Sequence, residues 1–414
     1  MEISLNKVIR AISIALDLSQ MSSVDGTNII EEVSNINYTK HNFMNHSLRT
    51  CYVALEIGRE LNLPENTLQM VYISSLLHDI GATNFFNISH YSHDFIYEHS
   101  VIGSKITKDF PLLNGLSNII LCHHENFDGS GALKLSGNSI PIESQLIRIA
   151  DLIELNFNEA KPSLVQKDRI IKWIREYSDK IYSSEIKDAF LRCSKKDAFW
   201  FNLENLNSMG FILDSVAPKI NQTINLAQLE KIAYIFSNII DNKNNHTASH
   251  SVSIADLAYN LSKSINYDEE KCRKMKIAGL LHDIGKLAIP VKILNKASGL
   301  SPDEFKIIKS HVYYSKIILD RIQDIPDISN WACNHHEKLN GTGYPRALRA
   351  EDLSEESRIM AICDIFQALT ENRPYKNGFS IEKAIRIMDE MCNKNLICPY
   401  ALGNLKKLIG YNGI

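Results

Sequence analysis

Apolar residues recur along this chain at the three- and four-residue intervals of an amphipathic helix and seldom alternate with polar ones. Leu5, Val8, Ile9, Ile12 and Leu16 form one such stripe, and Leu226, Leu229, Ala233, Phe236 and Ile240 form another. Segments of this kind bury one face and leave the other to water, so an all-α fold is predicted. Helix-start chemistry agrees. In Ser301-Pro302-Asp303-Glu304 the serine can cap, the proline suits the first helical position and the glutamate closes a capping box. Alternation bounded by hairpin turns, the mark of a sheet, is not evident.

The pattern is written twice. HSLRTCYVALEIGRELNL, from His46, and HSVSIADLAYNLSKSINY, from His250, lead after the same interval into SLLHDIG (75–81) and GLLHDIG (279–285). EHSVIGSKI then pairs with SHVYYSKI, CHHENFDGSG with NHHEKLNGTG, and RIADLIE with AICDIFQ, in the same order. A long colinear repeat gapped only in loops predicts two copies of one domain. A short insertion in the second copy falls in KLAIPVKILNKASGLSP, immediately beside HDIG. After the last matched Asp both copies continue into helical segments, over 163–195 and 380–409. The expected division is residues 1–221, ending in a connector over 196–221, and residues 222–414. The aromatic run Phe199-Trp200-Phe201 in that connector is expected to pack between the domains.

Length supports the division, since 414 residues suit two cores of about 200 residues each. With 44% apolar and 22% charged residues, neither a disordered nor a fibrous chain fits. No stretch is long and apolar enough to span a bilayer, and MEISLNKVIRAISIALDLSQ mixes acidic and polar residues into its apolar pattern, so a cytoplasmic protein with no membrane partner is expected. The eight cysteines are scattered, form no CxxC pair and read as reduced core residues. A net charge of −3 argues against an extended nucleic-acid surface and leaves a small phosphate-bearing ligand open.

The chemistry lies in the repeat. Of the 14 histidines, five matched pairs stand out: 46/250, 78/282, 99/311, 123/335 and 124/336. The carboxylates Asp79/Asp283 and Asp151/Asp364 pair as well. A lone helical histidine is usually a satisfied structural residue, but this set, kept in one order in two diverged halves, is what a shared metal site predicts. Imidazole and carboxylate donors without thiolate suit iron, manganese or zinc. Seven ligands are too many for one small cation and fit two if a carboxylate bridges. Asp283 is the natural bridge, with His250, His282 and Asp364 completing one set and His311, His335 and His336 the other. Paired cations clamp a phosphate ester and activate water at neutral pH, so phosphoester hydrolysis is the expected reaction.

With LLHDIGK (280–286), HHEKLNGTGYP (335–345) and DIFQALTENRPYK (364–376), the second half resembles the HD-GYP family of bacterial cyclic-dinucleotide phosphodiesterases over about 235–395. The first half is similar to the broader HD superfamily. The resemblance implies a helical fold and a bimetallic, sometimes trimetallic, iron or manganese site, with zinc, nickel or magnesium as alternatives. It also implies hydrolysis of cyclic di-GMP or cyclic GMP-AMP to the linear dinucleotide or mononucleotide. His250, His282, Asp283, His311, His335, His336 and Asp364 fall on the family's metal-ligand positions. Lys286 falls on the lysine beside the scissile phosphate, where a cation one turn from a metal-bound Asp would clamp transition-state charge. Asp283 and Lys286 are thus the expected catalytic residues. Arg373 and Lys376 match residues that hold substrate phosphates. Gly341, Gly343, Tyr344 and Pro345 form the GYP loop. It reads either as a structural turn or as a pocket mouth where Tyr344 meets substrate or a signalling partner. Trimetallic members carry a Glu one turn before the first His; here that position is His246, and two metals are expected.

The first half keeps His46, His78, Asp79, His99, His123, His124 and Asp151 as a second metal set but has Ala82 in place of Lys286. Its HHENFDGSG runs into ALKLSG without YP, and Lys161-Pro162 only faintly echoes RPYK. Metal ligation looks intact and substrate handling degraded, which leaves a regulatory or structural domain, or a site of different preference. His41, His90 and His93 have no counterparts. Two other functions compete with the phosphodiesterase: an HD-type nucleotide or guanosine-polyphosphate phosphohydrolase, and a non-catalytic metal-binding signalling scaffold.

Overall fold

The computed structural model describes residues 1–23, 44–84, 93–243, 250–296, 299–372 and 377–411. Arg373, Lys376, His246, His41 and His90 lie outside them. The chain forms two compact units, one of residues 12–221 and one of residues 1–11 with 222–414.

The N-terminal unit is built from the rest of α1 (Leu5–Ser23), then α2 (His46–Glu60), α3 (Glu65–Leu77), α4 (His93–Thr107), α5 (Leu116–Cys122), α6 (Ile142–Leu155), α7 (Ser163–Glu176), α8 (Ser184–Cys193), α9 (Asp197–Glu204) and α10 (Met209–Val216). Nearly every residue of α2 is buried, because α3, α6 and α8 cover it. The expected connector over 196–221 is in fact α9 and α10. Phe199 and Trp200 are buried within this unit, the former stacked on Tyr52 at 5.7 Å and the latter edge-on to Phe190 at 6.3 Å. Their burial inside one unit replaces the expected packing between domains, while Phe201 is exposed. Each such buried aromatic contributes on the order of 1.5–3 kcal/mol.

The C-terminal unit holds α11 (Leu226–Lys243), α12 (His250–Ser264), α13 (Glu269–Leu281), α14 (Val291–Leu294), α15 (Pro302–Leu319), α16 (Pro326–Cys333), α17 (Glu355–Thr370), α18 (Ile381–Asn393) and α19 (Pro399–Leu408). Here α12 packs on α13 and α17, and α13 on α16. Ser301 and Glu304 form the expected capping box, with Pro302 opening α15. One departure from all-helical expectation is small: β1 (Ile3–Ser4) pairs antiparallel with β2 (Thr223–Ile224). That pairing, and the Lys7–Asp324 ion pair at 2.8 Å, place residues 1–11 with the C-terminal unit and not with the first 221 residues. Among the described residues no helix is long and apolar enough to cross a membrane.

One buried carboxylate recurs in both units. Asp17 accepts from Ser47 N and Oγ at the start of α2, and Asp241 from Ser251 N and Oγ at the start of α12. Each satisfies one otherwise orphaned N–H of the helix that carries the first matched histidine. Burial raises both carboxyls, Asp17 to about 6.

Candidate metal centres

The second HD pair stands where α13 stops. His282 caps that helix, and the chain tightens into a 3-10 turn over Ile284–Ala288. Gly285 makes the next step possible, because a Cβ there would lie 1.9 Å from His311 O and 2.4 Å from Ser315 N, both backbone atoms of α15. Only glycine lets α15 lie this close to the turn, which brings His311 beside His282-Asp283. Ser315 Oγ fastens the contact, accepting from Gly285 N and donating to His282 O, each at 2.9 Å. Gly81 does the same in the first unit, where an added Cβ would lie 2.0 Å from His99 O.

Helix geometry also sets the tautomers. His282, His311 and His335 donate from Nδ1 to the carbonyls of Gly279, Ile308 and Ala332, each three residues earlier. With the proton on Nδ1, the Nε2 lone pair is free for a metal. His250 donates from Nδ1 to Glu371 Oε2 instead, the carboxylate–imidazole arrangement that orients metal-bound histidines.

These atoms converge on Asp283. Its Oδ2 is 3.0 Å from His282 Nε2, and its Oδ1 is 3.1 Å from His311 Nε2 and 4.0 Å from His335 Nε2. One carboxylate thus offers an oxygen to each of two groups. Asp364 Oδ1 lies 3.9 Å from His250 Nε2, and its Oδ2 lies 3.8 Å from His336 Nδ1. His250, His282 and Asp283 make one cluster of donor atoms, and His311, His335 and His336 another. His282 Nε2, His311 Nε2, His335 Nε2 and Asp283 Oδ1 are buried yet make no hydrogen bond of acceptable angle. Orphaned polar atoms buried around one point are costly unless a ligand completes them, and nitrogen and oxygen donors fit divalent transition metals.

Charge is arranged to match. Burial opposes a charge on Asp283, but His282 and Lys286 overcome it and hold the carboxyl well below its ordinary range. Burial likewise opposes protonation of His282, and the Asp283 charge reverses this, raising it to about 8. His335, desolvated and beside His282, falls to about 4. Lys286 reaches Asp283 Oδ2 at 2.5 Å while staying partly open to solvent.

The GYP loop closes one side. Tyr344 sits with its ring 4.8 Å from that of His336 and its N–H donating to His336 O. Glu337, absent from the expected site, organises this loop by accepting from Arg346 N and Leu348 N. A Cβ on Gly343 would lie 2.4 Å from Lys338 N, so the turn depends on glycine. In the first unit Glu125 accepts likewise from Leu133 N and Leu135 N. The HHE triplet common to both copies carried this signal.

The first unit assembles its seven matched residues as well. Asp79 Oδ2 lies 3.4 Å from His46 Nε2 and 3.2 Å from His78 Nε2, and its Oδ1 lies 3.5 Å from His99 Nε2. Asp151 Oδ1 is 3.5 Å from His46 Nε2. His78 and His123 donate from Nδ1 to Ser75 O and Ile120 O. His46 donates from Nδ1 to Glu154 Oε2 at 2.6 Å, and the buried Arg49 pairs with the same glutamate. Where the C-terminal Asp283 meets Lys286, Asp79 Oδ2 accepts from Gln20 Nε2. Sequence reasoning missed a buried arginine: Arg148, one turn before Asp151, donates from NH1 to His124 Nδ1 at 3.0 Å and from Nε and NH2 to Asn126 Oδ1. The matching position before Asp364 is Ala361. The expectation that the first site lost its cation with Lys286 therefore needs amending, because Arg148 brings one from another direction. Beside it lies a cavity of about 350 Å³ lined by Tyr97, Ser100, His124, Ser130 and Arg148.

Residues 43–156 and 234–397 each match the HD domain family. Over 357 residues, 83% of this chain and 82% of the relative, the sequence is 30% identical to 3'3'-cGAMP-specific phosphodiesterase 1 of Vibrio cholerae. It is 34% identical over 209 residues, half of each chain, to a cyclic di-GMP phosphodiesterase of Pseudomonas aeruginosa. Among solved structures, the cyclic GMP-AMP-specific phosphodiesterase V-cGAP3 of V. cholerae superposes with a TM-score of 0.67 at 20% identity, covering 100% of this chain and 99% of that one, a likeness of fold.

Proposed function

This chain belongs to the HD-GYP family of HD-domain phosphodiesterases and is a metal-dependent phosphohydrolase, and we propose that it cleaves a 3'3' cyclic dinucleotide at its C-terminal centre. The observation that carries this reading is the convergence of His282, His311, His335 and Asp283, whose buried donor atoms lack hydrogen bonds, beside Lys286 and Tyr344. His250, His282 and Asp364 would hold one cation, His311, His335 and His336 a second, and Asp283 would bridge. Iron or manganese is the proposed metal, as in the family, with zinc, nickel or magnesium as alternatives that the same donors accept. Two bound cations supply a nucleophile at neutral pH and neutralise charge on the phosphodiester.

The chain's own residues do the rest. Asp283, kept ionised, fixes the spacing between the two clusters. Lys286 lies within reach of the same point and supplies a cation to the oxygens that gain charge as the phosphoester breaks. Tyr344, packed on His336, gives a nucleobase a face to stack on. Arg373 and Lys376 would take the second phosphate. Whole-chain similarity to a cGAMP-specific enzyme favours cyclic GMP-AMP, with cyclic di-GMP as the alternative. A cytoplasmic location and a signalling partner at the GYP loop, exposed at Pro345 and Arg346, complete the proposal. The test is to load the protein with iron or manganese under reducing conditions, incubate it with each dinucleotide, and resolve products by chromatography. Cleavage of neither overturns the substrate class.

A further inference from the structure

We infer that the two metal centres differ in stoichiometry: the N-terminal centre takes one ion, at His46, His78, Asp79 and Asp151, and Arg148 bars the second position. This rests on the reading that these clusters hold metals. Distance alone would admit a second ion, since donor atoms of Asp79, His99, His123 and His124 lie within 4.8 Å of one another. The hydrogen-bond chemistry does not fit it.

A guanidinium has only N–H donors, so at the 3.0 Å contact with Arg148 NH1 the His124 Nδ1 must be the acceptor. A neutral imidazole accepting at Nδ1 carries its proton on Nε2. That Nε2 is 3.0 Å from His99 Nε2, so its N–H is spent on the lone pair that His99 would give to a second ion. His124 is thereby removed as a ligand at both nitrogens, one facing an arginine and the other protonated, and His99 is engaged. The arginine is not free to swing away. It is 2% exposed, and Asn126 Oδ1 grips its Nε and NH2 at 3.3 and 3.1 Å.

The first position escapes this. His46 and His78 each direct Nε2 toward Asp79, with their Nδ1 protons on Glu154 and Ser75 O. In the C-terminal unit Ala361 stands where Arg148 would be, and the matching His336 directs Nδ1 toward Asp364 at 3.8 Å. A fixed cation thus stands beside the first centre in place of a second metal, which leaves that centre without the ion pair that two-metal hydrolysis needs.

The experiment counts metals in the full chain by mass spectrometry and locates them by anomalous scattering at the metal edge in crystals of the loaded protein. Wild type should show three ions, two of them in the C-terminal unit. Arg148→Met should raise the N-terminal centre to two. His124→Ala should leave it at one, whereas His336→Ala should cost the C-terminal centre an ion. Two ions, or none, in the wild-type N-terminal centre overturns the inference, as does loss of an ion on His124→Ala. A folded Arg148→Met protein, checked by circular dichroism, that still holds one ion there removes the arginine from the explanation and overturns it too. Failure of the underlying reading looks different, because the C-terminal centre would then also be empty.

Discussion

His250 donates its Nδ1 proton to Glu371 Oε2 across 3.0 Å, and Glu371 caps the C-terminal end of α17 two residues before Arg373. The first unit solves the same problem differently, with Glu154 inside α6 and tied to Arg49. In the C-terminal unit the carboxylate that orients His250, a proposed metal ligand, therefore belongs to the segment leading into the expected phosphate-binding residues.

Removing that orientation is expected to weaken the centre without dismantling it. Glu371→Ala should cost about 10–100-fold in metal affinity, the usual effect of losing an outer partner of a ligating histidine. Glu371→Gln keeps an acceptor and should cost less. Equilibrium dialysis against manganese measures both, and an Ala variant that binds as wild type would show that other contacts hold His250.

Gly285→Ala offers a steric test. The new Cβ would meet two backbone atoms of α15, neither of which can rotate away. Overpacking of this kind costs about 1–3 kcal/mol or more, and relief requires α15 to move with His311. A lower melting temperature and loss of C-terminal metal are expected by calorimetry and metal analysis. Gly299→Ala, where nothing lies within 4 Å of the added carbon, is the control and should be silent.

The repeat made the fold legible, because apolar periodicity and five matched histidines recur in register, and the structure brings all seven residues of each set together. What was hidden has physical reasons. Arg148 has no counterpart in the other copy, so no pairing flagged it. Glu154 and Glu371 perform one task from unequal distances after their matched aspartates, so alignment does not connect them. Asp17 and Asp241 precede the matched blocks on α1 and α11. The β1–β2 pairing is two residues long, too short for any period, so residues 1–11 could not be assigned to the C-terminal unit. Residues 196–221 looked like a linker because α9 and α10 are short.

Acidity should govern metal uptake. In the metal-free protein His282 is raised to about 8 by Asp283, so it is protonated at pH 7 and the incoming ion must expel that proton. Affinity should climb between pH 6 and 8, by at most about tenfold per unit for this one proton, and level off above 8 as far as this group is concerned. His335, at about 4, does not compete in that range. The same shift makes His282 stabilise the metal-free fold below pH 6.5 and lose that contribution as pH passes 8. Calorimetric titration in buffers of different ionisation heat should therefore show more proton release at pH 7 than at pH 9. Equal release at both would remove His282 from the metal set or its proton from the ring.

Turnover should belong to the C-terminal centre. It pairs Asp283 with Lys286, whose side chain stays partly exposed to solvent, whereas in the first unit the corresponding residue is Ala82 and Asp79 accepts from the neutral Gln20. Arg148 does not restore the balance, since its guanidinium is spent on His124 and Asn126. Loss of one transition-state donor typically costs about 100–1,000-fold in rate, which is the reduction expected for Lys286→Ala, with metal content retained because lysine is no ligand here. Replacing His282 and Asp283 with Ala should abolish both metal and activity. Replacing His78 and Asp79 with Ala should strip only the N-terminal ion and leave most of the hydrolysis, changing stability or its response to bound nucleotide. Initial rates on cyclic GMP-AMP for the three proteins, each checked for folding and metal, separate these outcomes. Should the His78 and Asp79 variant be folded, hold its C-terminal metals and yet fail to turn over, the first centre is catalytic or obligately coupled, and the division of labour drawn from Lys286 and Ala82 falls.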